Sequence, residues 1–274
     1  MKITGLIGSP VRNSWSQTLF NSIYSTDKMR CFYAAIDLNL NSIDNFIEFA
    51  ISSMTGFNVT SPYKEIILRY IQQRDPLVWR LGSANAITNE SGTLMAHNTD
   101  YLGFKKIIET NSVNFHEKKV CIAGTGGVFR TILYSLISDF EADSITVLSR
   151  DPVKAKTKFQ GFEYFEETEI IGYPTENQYD IIINCTPLGM NENDASPVKV
   201  KNFSKNAVAI DLIYANMDTP FLKVAAGAKA LCINGREMFF QQAYESYNLF
   251  HGSYPDIEIF KPLKFCFCFH WIPG

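Results

Sequence analysis

Lys64 is the first residue of the chain whose type and setting suit acid–base chemistry. Phe57 and Val59 have the side chains of a buried strand, and Ser61 before Pro62 predicts a helix N-cap and first helical position. Lys64 would then lie in the first turn of that helix, where the helix dipole disfavours a cation. This placement is compatible with proton transfer and equally with a surface lysine on an amphipathic helix.

Asp100 lies at the predicted start of another helix, directly after Asn98 and Thr99. The helix dipole alone would stabilise a carboxylate there. If Asp100 lay beside Lys64, each group would favour the charged form of the other and restrict its orientation. The sequence leaves both interpretations open.

Hydroxyl and amide side chains occur at other predicted ends of helices and strands. Ser14 and Ser16 are either N-caps or a pair of hydroxyls for a substrate carboxylate. Asn85 and Gln242 carry amides that either cap backbone groups or bind substrate hydroxyls.

A glycine turn, Gly124-Thr125-Gly126-Gly127, follows the short apolar strand 120–123 and precedes an amphipathic helix. Its backbone N–H groups would lie at a helix N-terminus, where a pyrophosphate binds to unpaired donors and a positive dipole. Phe129 takes the place of the third glycine of the dinucleotide fingerprint. The prediction of a dinucleotide site therefore depends on the strand before the turn and the helix after it.

The end of the next strand indicates which dinucleotide binds, because it meets the adenine ribose. Arg150 and Lys154 favour the 2′-phosphate of NADP, whereas Asp151 would repel it. This balance favours NADP and leaves NAD as the alternative.

The elements that would position these residues alternate between strands and helices. From Lys119 onward the strands are apolar without alternation, as in parallel strands that are buried on both faces. The sequence therefore predicts an α/β protein with a doubly wound parallel sheet in its middle part. The predicted strands of that sheet are 120–123, 145–148, 181–184 and 207–210.

Two shorter strands are predicted before this sheet, over 84–88 and 93–96. The dipeptide Ser91-Gly92 between them is typical of a tight turn.

Composition restricts the class of protein. The chain has 274 residues, 46% of them hydrophobic, and a net charge of −3 with no long run of one sign. These values predict a large core and argue against nucleic acid or a membrane as partner. No stretch of the sequence is long and apolar enough to span a bilayer.

The cysteines and histidines form no ligand pattern, since the sequence has no CxxC pair and no zinc spacing. We therefore expect no metal site, and we expect reduced thiols in a cytoplasmic protein. The last residues, 261–274, are predicted to form a strand or a loosely packed extension.

Taken in order, these segments resemble shikimate dehydrogenases from Gly5 to about Gly252. Seven blocks of sequence carry the resemblance: Gly8-Ser9-Pro10 with Asn13-Ser14-Trp15-Ser16, Asn58-Val59-Thr60-Ser61-Pro62-Tyr63-Lys64, Gly82-Ser83-Ala84-Asn85, Asn98-Thr99-Asp100, Gly124-Thr125-Gly126-Gly127, Asn184-Cys185-Thr186-Pro187-Leu188-Gly189-Met190, and Gly235-Arg236-Glu237-Met238 with Gln242. The second, fourth and sixth of these blocks are specific to that family, whereas the glycine turn is not.

The resemblance implies an α/β fold with an N-terminal α/β substrate domain, a Rossmann-type doubly wound nucleotide domain and an active site in the cleft between them. It places the substrate domain at 1–102 and 236–274 and the NADP-binding domain at 103–235. It implies reversible NADPH-dependent reduction of 3-dehydroshikimate to shikimate, on the route to aromatic amino acids. We expect a monomer or homodimer with these small molecules as its ligands.

The resemblance also implies a role for individual residues. Lys64 and Asp100 would be the catalytic pair. The substrate would be bound by Ser14, Ser16, Thr60, Asn85, Tyr214 and Gln242. The cofactor would be bound by Gly124, Thr125, Gly126, Gly127, Ser149, Arg150, Lys154, Thr186, Gly235 and Met238.

The chain departs from the family pattern around the substrate and the adenosine phosphate. Asn13, Gln17 and Phe20 stand where the family usually has His, Pro and His. Ala86 and Asp151 both stand in place of Thr. The departures concern substrate affinity, the choice between shikimate and quinate, and the choice between NADP and NAD. An NAD-linked quinate/shikimate dehydrogenase is the nearest alternative, and a non-catalytic dinucleotide-sensing regulator is a remote one.

Overall fold

The computed structural model describes residues 2–166, 168–191 and 193–260. These residues fall into two compact units, a first within Met1–Thr99 and Phe240–Gly274 and a second within Asp100–Phe239. The helices in the described ranges all lack the combination of length and apolar character that a bilayer crossing requires.

The predicted division of tasks, with substrate binding at 1–102 and 236–274 and nucleotide binding at 103–235, stays a prediction. The strand or extension predicted for 261–274 lies outside the described residues.

Strands and helices alternate along most of the described chain. The strands are β1 (Lys2–Gly8), β2 (Cys31–Asp37), β3 (Gly56–Val59), β4 (Gln73–Arg74), β5 (Ala86–Glu90), β6 (Thr93–His97), β7 (Lys119–Ala123), β8 (Ser144–Ser149), β9 (Glu169–Gly172), β10 (Tyr179–Asn184), β11 (Phe203–Asp211) and β12 (Leu231–Ile233). The α-helices are α1 (Ser16–Thr26), α2 (Ile43–Ser53), α3 (Tyr63–Ile66), α4 (Pro76–Leu81), α5 (Asp100–Asn111), α6 (Phe129–Ser138), α7 (Pro152–Phe159), α8 (Pro220–Gly227) and α9 (Arg236–His251).

Strand β1 lies inside the sheet of the first unit, whose strand order is β2-β1-β3-β5-β6-β4. It pairs in parallel with β2 on one side and β3 on the other, whereas β5 is antiparallel to β3 and β6. The connection after β1 runs toward β2, and the one after β3 runs away from it. The two connections therefore diverge at one edge of the sheet, where open α/β sheets bind their ligands.

Strands β5 and β6 form the predicted hairpin, which is confirmed. Its two turn residues, Ser91 and Gly92, have φ values of 52° and 90°. Positive φ at both central residues gives a two-residue turn whose twist matches that of the strands. The Gly92 N–H also donates to Asn89 Oδ1 across 2.8 Å.

The second unit is built on a parallel sheet with the order β12-β11-β10-β7-β8-β9, which confirms the predicted doubly wound arrangement. Neighbouring residues of β7 enter different hydrophobic clusters, Val120 and Ile122 one cluster and Cys121 the other. Burial on both faces explains why these strands lack polar alternation. The connections after β7 and β10 diverge as those after β1 and β3 do.

His251 ends α9 against an aromatic group in the first unit. Its Nε2 lies 3.0 Å from the Tyr24 hydroxyl, and the two rings meet edge to face with centroids 5.3 Å apart. Burial, and to a smaller extent the nearby Lys2 ammonium, lowers the pKa of His251 to about 4 from 6.5. The neutral imidazole is therefore the form that the folded chain accommodates.

We predict that His251→Gln makes stability less sensitive to acid. A histidine with a depressed folded-state pKa contributes stability that is fully present above pH 6.5 and is lost as the pH falls toward 4. Urea denaturation at pH 7.5 and pH 5 should show a smaller loss for the variant than for the wild type. The exposed His116 provides the control, since His116→Gln should behave as the wild type does; equal acid losses in all three proteins would contradict the assignment.

Candidate active site

Lys64 lies on α3, a single α-helical turn that begins at Tyr63. The predicted cap was wrong, because Pro62 rather than Ser61 occupies the N-cap position, with non-helical φ and ψ of −92° and 11°. The backbone closes the turn instead, through the Tyr63 N–H, which donates to the Thr60 carbonyl at 2.9 Å. Because of this backbone hydrogen bond to Thr60, the helix begins one residue beyond the position that side-chain capping predicts.

Hydrogen bonds anchor α3 on both sides of the half-buried Lys64 side chain. The buried Tyr63 hydroxyl donates to the carbonyl of Leu38, and the Lys64 carbonyl accepts from the Ala84 N–H at 2.9 Å. The backbone that carries the ammonium group is therefore held to two neighbouring segments of the first unit.

Ser14 and Ser16 lie together after β1. Ser14 Oγ donates to Ser16 Oγ across 3.2 Å and accepts from the Ser16 N–H across 3.3 Å. Their interpretation as N-caps was wrong, because Trp15 occupies that position and α1 has no side-chain cap. Thr60 follows β3, and a Cβ placed on Gly8 would overlap its methyl group. These three of the six predicted substrate residues thus lie at the edge where β1 and β3 end.

Asn85 holds the residue that precedes Asp100. Its side-chain amide donates to Thr99 Oγ1 at 2.9 Å, and its Oδ1 accepts from the Thr99 N–H at 2.6 Å. Asp100 follows as the buried first residue of α5. Asn85 therefore has the backbone-capping role that the sequence allowed, and its contact with substrate stays a prediction.

Sequence reasoning missed Ser246, a fully buried residue of α9. Its Oγ donates to the Gln242 carbonyl at 2.8 Å, accepts from Asn58 Nδ2 at 2.8 Å and lies 3.2 Å from Thr99 Oγ1. Residues four apart share one face of a helix, so the spacing of Ser246 from Gln242 was a usable signal. Ser246 links the helix of Gln242 to β3 and to the residue before Asp100.

The second unit contains a cavity of about 790 Å³ at the carboxyl ends of β7, β8 and β10. This is the edge at which the connections after β7 and β10 diverge, the usual nucleotide position in such sheets. The residues that line the cavity are Gly124, Thr125, Gly126, Ser149, Arg150, Asp151, Lys154, Ala155, Lys158, Tyr173, Cys185, Thr186, Pro187, Leu188, Ser196 and Pro197.

Gly124 is the position of the glycine turn at which glycine is required. Its φ is +95°, and a Cβ there would lie 2.6 Å from Thr186 Cγ2. The following helix, α6, begins at Phe129 with no side-chain cap on its N-terminal N–H groups. The turn therefore combines a close approach of two loops with uncapped N–H groups, which suits an anion such as a pyrophosphate.

Basic side chains line the same cavity after β8. Arg150, Lys154 and Lys158 are the cations among its lining residues, and sequence reasoning missed Lys158, which lies one turn beyond Lys154 on α7. Asp151 Oδ1 accepts the Lys154 N–H at 2.9 Å as the N-cap of α7. Asp151 therefore has a helix-capping role at the edge of the cavity that Arg150 and Lys154 line.

Other predicted residues lie away from this cavity lining. Gly235 packs on backbone, since a Cβ there would overlap the Leu212 carbonyl oxygen. Met238 is buried in the hydrophobic core of the second unit. Tyr214 stacks on Phe239 with ring centroids 4.3 Å apart. Gly127 is the one residue of the glycine turn that does not line the cavity.

The parallel sheet, the glycine turn and the cation-lined cavity are those of a Rossmann-type unit, which is joined to a second α/β unit. Comparison with known proteins then identifies the family. The family described as "Shikimate dehydrogenase substrate binding domain" matches residues 6–87. Shikimate dehydrogenase (NADP(+)) of Clostridium botulinum (strain Loch Maree / Type A3) is 36% identical over 254 residues, which cover 91% of this chain and 96% of that protein.

Solved structures agree with this result. A shikimate dehydrogenase in complex with NADP+ superposes with a TM-score of 0.85 at 29% identity, covering 97% of this chain and 95% of the other. Shikimate dehydrogenase 1 from Peptoclostridium difficile has a TM-score of 0.85 at 26% identity, with 98% of each chain covered. The chain belongs to the shikimate dehydrogenase family.

We predict that Gly124→Ala weakens dinucleotide binding by about tenfold or more, because the new methyl group would push the loop of Thr186 out of place. Binding of NADP would be measured by titration calorimetry, with circular dichroism to verify the fold.

Gly161→Ala is the matched control for this prediction. Gly161 also has positive φ, +78°, but apart from its own chain neighbours no atom of the described residues lies within 4 Å of the position that an added methyl group would take. The control should keep wild-type NADP affinity. Wild-type affinity in Gly124→Ala would show that the glycine turn does not hold the dinucleotide.

Proposed function

We propose that this protein catalyses the reversible NADPH-dependent reduction of 3-dehydroshikimate to shikimate, a step toward aromatic amino acids. The observation that carries the proposal is the near full-length match to an NADP-dependent shikimate dehydrogenase, at 36% identity. The cavity of the second unit supports the cofactor assignment, and the polar residues where β1 and β3 end support a small polar substrate.

The residues of the cavity suit NADP. Backbone N–H groups of the turn at Thr125 and Gly126 would hold the pyrophosphate. The Gly124 N–H donates to the Leu148 carbonyl at 2.9 Å, so Gly124 would contribute by leaving space that a side chain would fill. Arg150 and Lys154 would hold the 2′-phosphate of the adenosine. When bound, NADPH supplies the hydride that reduces the carbonyl group.

The rest of the cofactor set is proposed from the family resemblance together with the positions described above. Ser149 lines the cavity and accepts from the Asp151 N–H at 3.2 Å, so it holds the loop that carries Arg150. Thr186 would border the nicotinamide with Met238. Gly127 would help to cradle the pyrophosphate, and Gly235 would allow the backbone to approach the cofactor.

On the substrate side, Ser14 and Ser16 would bind the carboxylate, since their paired hydroxyls lie at the start of α1. Tyr214 would lie near that carboxylate. The ring hydroxyls would be held by Thr60, Asn85 and Gln242, which are able to donate and accept hydrogen bonds.

Lys64 and Asp100 are the proposed catalytic pair. During reduction the ketone oxygen gains negative charge, and the Lys64 ammonium would donate a proton to it. During oxidation the Lys64 amine would accept the proton of the substrate hydroxyl. Asp100 would orient Lys64 and stabilise its charged form.

We also propose that the protein acts in the cytoplasm as a monomer or homodimer. The cysteines Cys31, Cys121, Cys185 and Cys232 are free thiols, as is usual in a reducing compartment.

A spectrophotometric assay of nicotinamide reduction tests the proposed function. Shikimate and quinate would each be supplied with NADP and with NAD. We expect the highest kcat/KM with shikimate and NADP, because cations surround the proposed adenosine phosphate site. Faster turnover of quinate with NAD, or no turnover of shikimate, would overturn the proposal.

We predict that Lys64→Ala lowers kcat by at least about a hundredfold, because general acid–base catalysis contributes on that scale. The KM for shikimate should change little, since substrate binding is assigned to other residues. Lys106→Ala, at an exposed position of α5, is the control and should keep wild-type kcat. Near-normal turnover in Lys64→Ala would exclude the catalytic role.

A further inference from the structure

Asp211 is a fully buried carboxylate at the end of β11 that the proposed chemistry does not use. Its Oδ1 accepts from Asn184 Nδ2 and from the Ile213 N–H, each at 3.1 Å. Its Oδ2 accepts from the Thr219 hydroxyl at 2.5 Å. The carboxylate therefore holds together the ends of β10 and β11 and the start of α8.

The side-chain amide of Asn184 connects Asp211 to residues that line the cofactor cavity. Asn184 Oδ1 accepts from the Thr186 N–H at 3.0 Å and the Thr186 hydroxyl at 2.6 Å, while Nδ2 also donates to the Leu188 carbonyl at 3.2 Å. Thr186 and Leu188 both line the cavity. Asp211 and the Leu188 carbonyl both accept from Nδ2, so together they keep the Oδ1 side of the amide facing Thr186.

The Thr186 hydroxyl is itself part of this turn. It donates to Asn184 Oδ1 and accepts from the Leu188 N–H at 3.1 Å. Thr186 Cγ2 is the atom closest to the open side of Gly124, 2.6 Å from an added Cβ. A change in the orientation of Asn184 would therefore move an atom that faces the glycine turn.

Burial makes an ionised Asp211 costly to the fold. It raises the pKa of Asp211 to about 6, and the donors from Thr219, Ile213 and Asn184 oppose that rise. Burial, and to a smaller extent the Asp211 carboxylate, raises the pKa of the Cys185 thiol on the connection after β10. Within the described residues no cation pairs with Asp211, so the three donors stabilise its anion.

We propose that Asp211 is a positioning residue for the cofactor: through Asn184 it fixes the turn 184–188 against the glycine turn and so sustains NADP affinity. The inference rests on the proposed function only in naming NADP as the ligand.

The first test compares Asp211→Asn with Asp180→Asn. Asp180 lies near the other end of β10, where it accepts from the Lys119 N–H at 2.9 Å, so its variant also loses a carboxylate in the same sheet. NADP binding would be measured by titration calorimetry without substrate at pH 7.5. We expect the dissociation constant to rise about tenfold in Asp211→Asn and to stay at the wild-type value in Asp180→Asn.

Kinetics separate positioning from a general structural role. In Asp211→Asn the KM for NADP should rise, whereas the KM for shikimate and the melting temperature should stay close to the wild-type values. Unchanged NADP binding, or equal losses of NADP binding, shikimate binding and melting temperature, would overturn the proposal. Because NADP binding is measured without substrate, inactivity toward shikimate would refute the proposed function without affecting the comparison of NADP dissociation constants.

The pH dependence of NADP binding supplies a second readout. Protonation of Asp211 near pH 6 should weaken binding in the wild type and in Asp180→Asn but not in Asp211→Asn. Titration of the NADP phosphate is common to all three proteins, so the difference between the variants isolates Asp211.

If Asp211→Asn fails to fold, Thr219→Ala keeps the proposal testable. This substitution removes one hydrogen-bond donor from the Asp211 carboxylate, so the loss of NADP affinity on acidification should begin at a higher pH. A loss of NADP affinity that begins at the same pH as in the wild type would overturn the proposal.

Discussion

Each candidate site depends on one strand that pairs in parallel with a neighbouring strand on each of its two sides. β1 has this position in the first unit and β7 in the second. Parallel strands end at a common edge, and connections that diverge there leave a crevice. Loops must approach closely beside it, so a side chain at Gly8 or Gly124 would meet Thr60 or Thr186 within 2.6 Å.

Buried polar side chains then hold these loops in one arrangement. In the first unit Asn85 binds Thr99, and Ser246 lies within hydrogen-bonding distance of the same residue. In the second unit Asn184 and Asp211 share a hydrogen bond behind the cavity. A buried donor or acceptor left without a partner costs about 1–3 kcal/mol, so alternative arrangements of these networks are disfavoured. Rigid support of this kind suits sites that must bind small polar molecules in one orientation.

Local signals in the sequence predicted much of the architecture. Unbroken apolar strands such as the one around Cys121 indicated burial on both faces, and Ser91-Gly92 indicated a hairpin turn. The same kind of signal gave a wrong helix cap at Ser61 and Pro62, where a backbone hydrogen bond closes the turn before the helix. Asp151, considered from the sequence only as a charge near the adenosine phosphate, is also the N-cap of α7.

The sequence by itself determined the family, the four inner strands of the second sheet, the hairpin, and the residues with suitable chemistry, among them Lys64, Asp100 and Arg150. These properties follow from residue type and from spacing over a few positions. Only the tertiary structure decided that Lys158 lines the cavity, that Ser246 contacts Thr99 and that Asp211 supports Asn184. Such contacts join residues far apart in the chain, and they exist because packing brings particular strand ends and helices together.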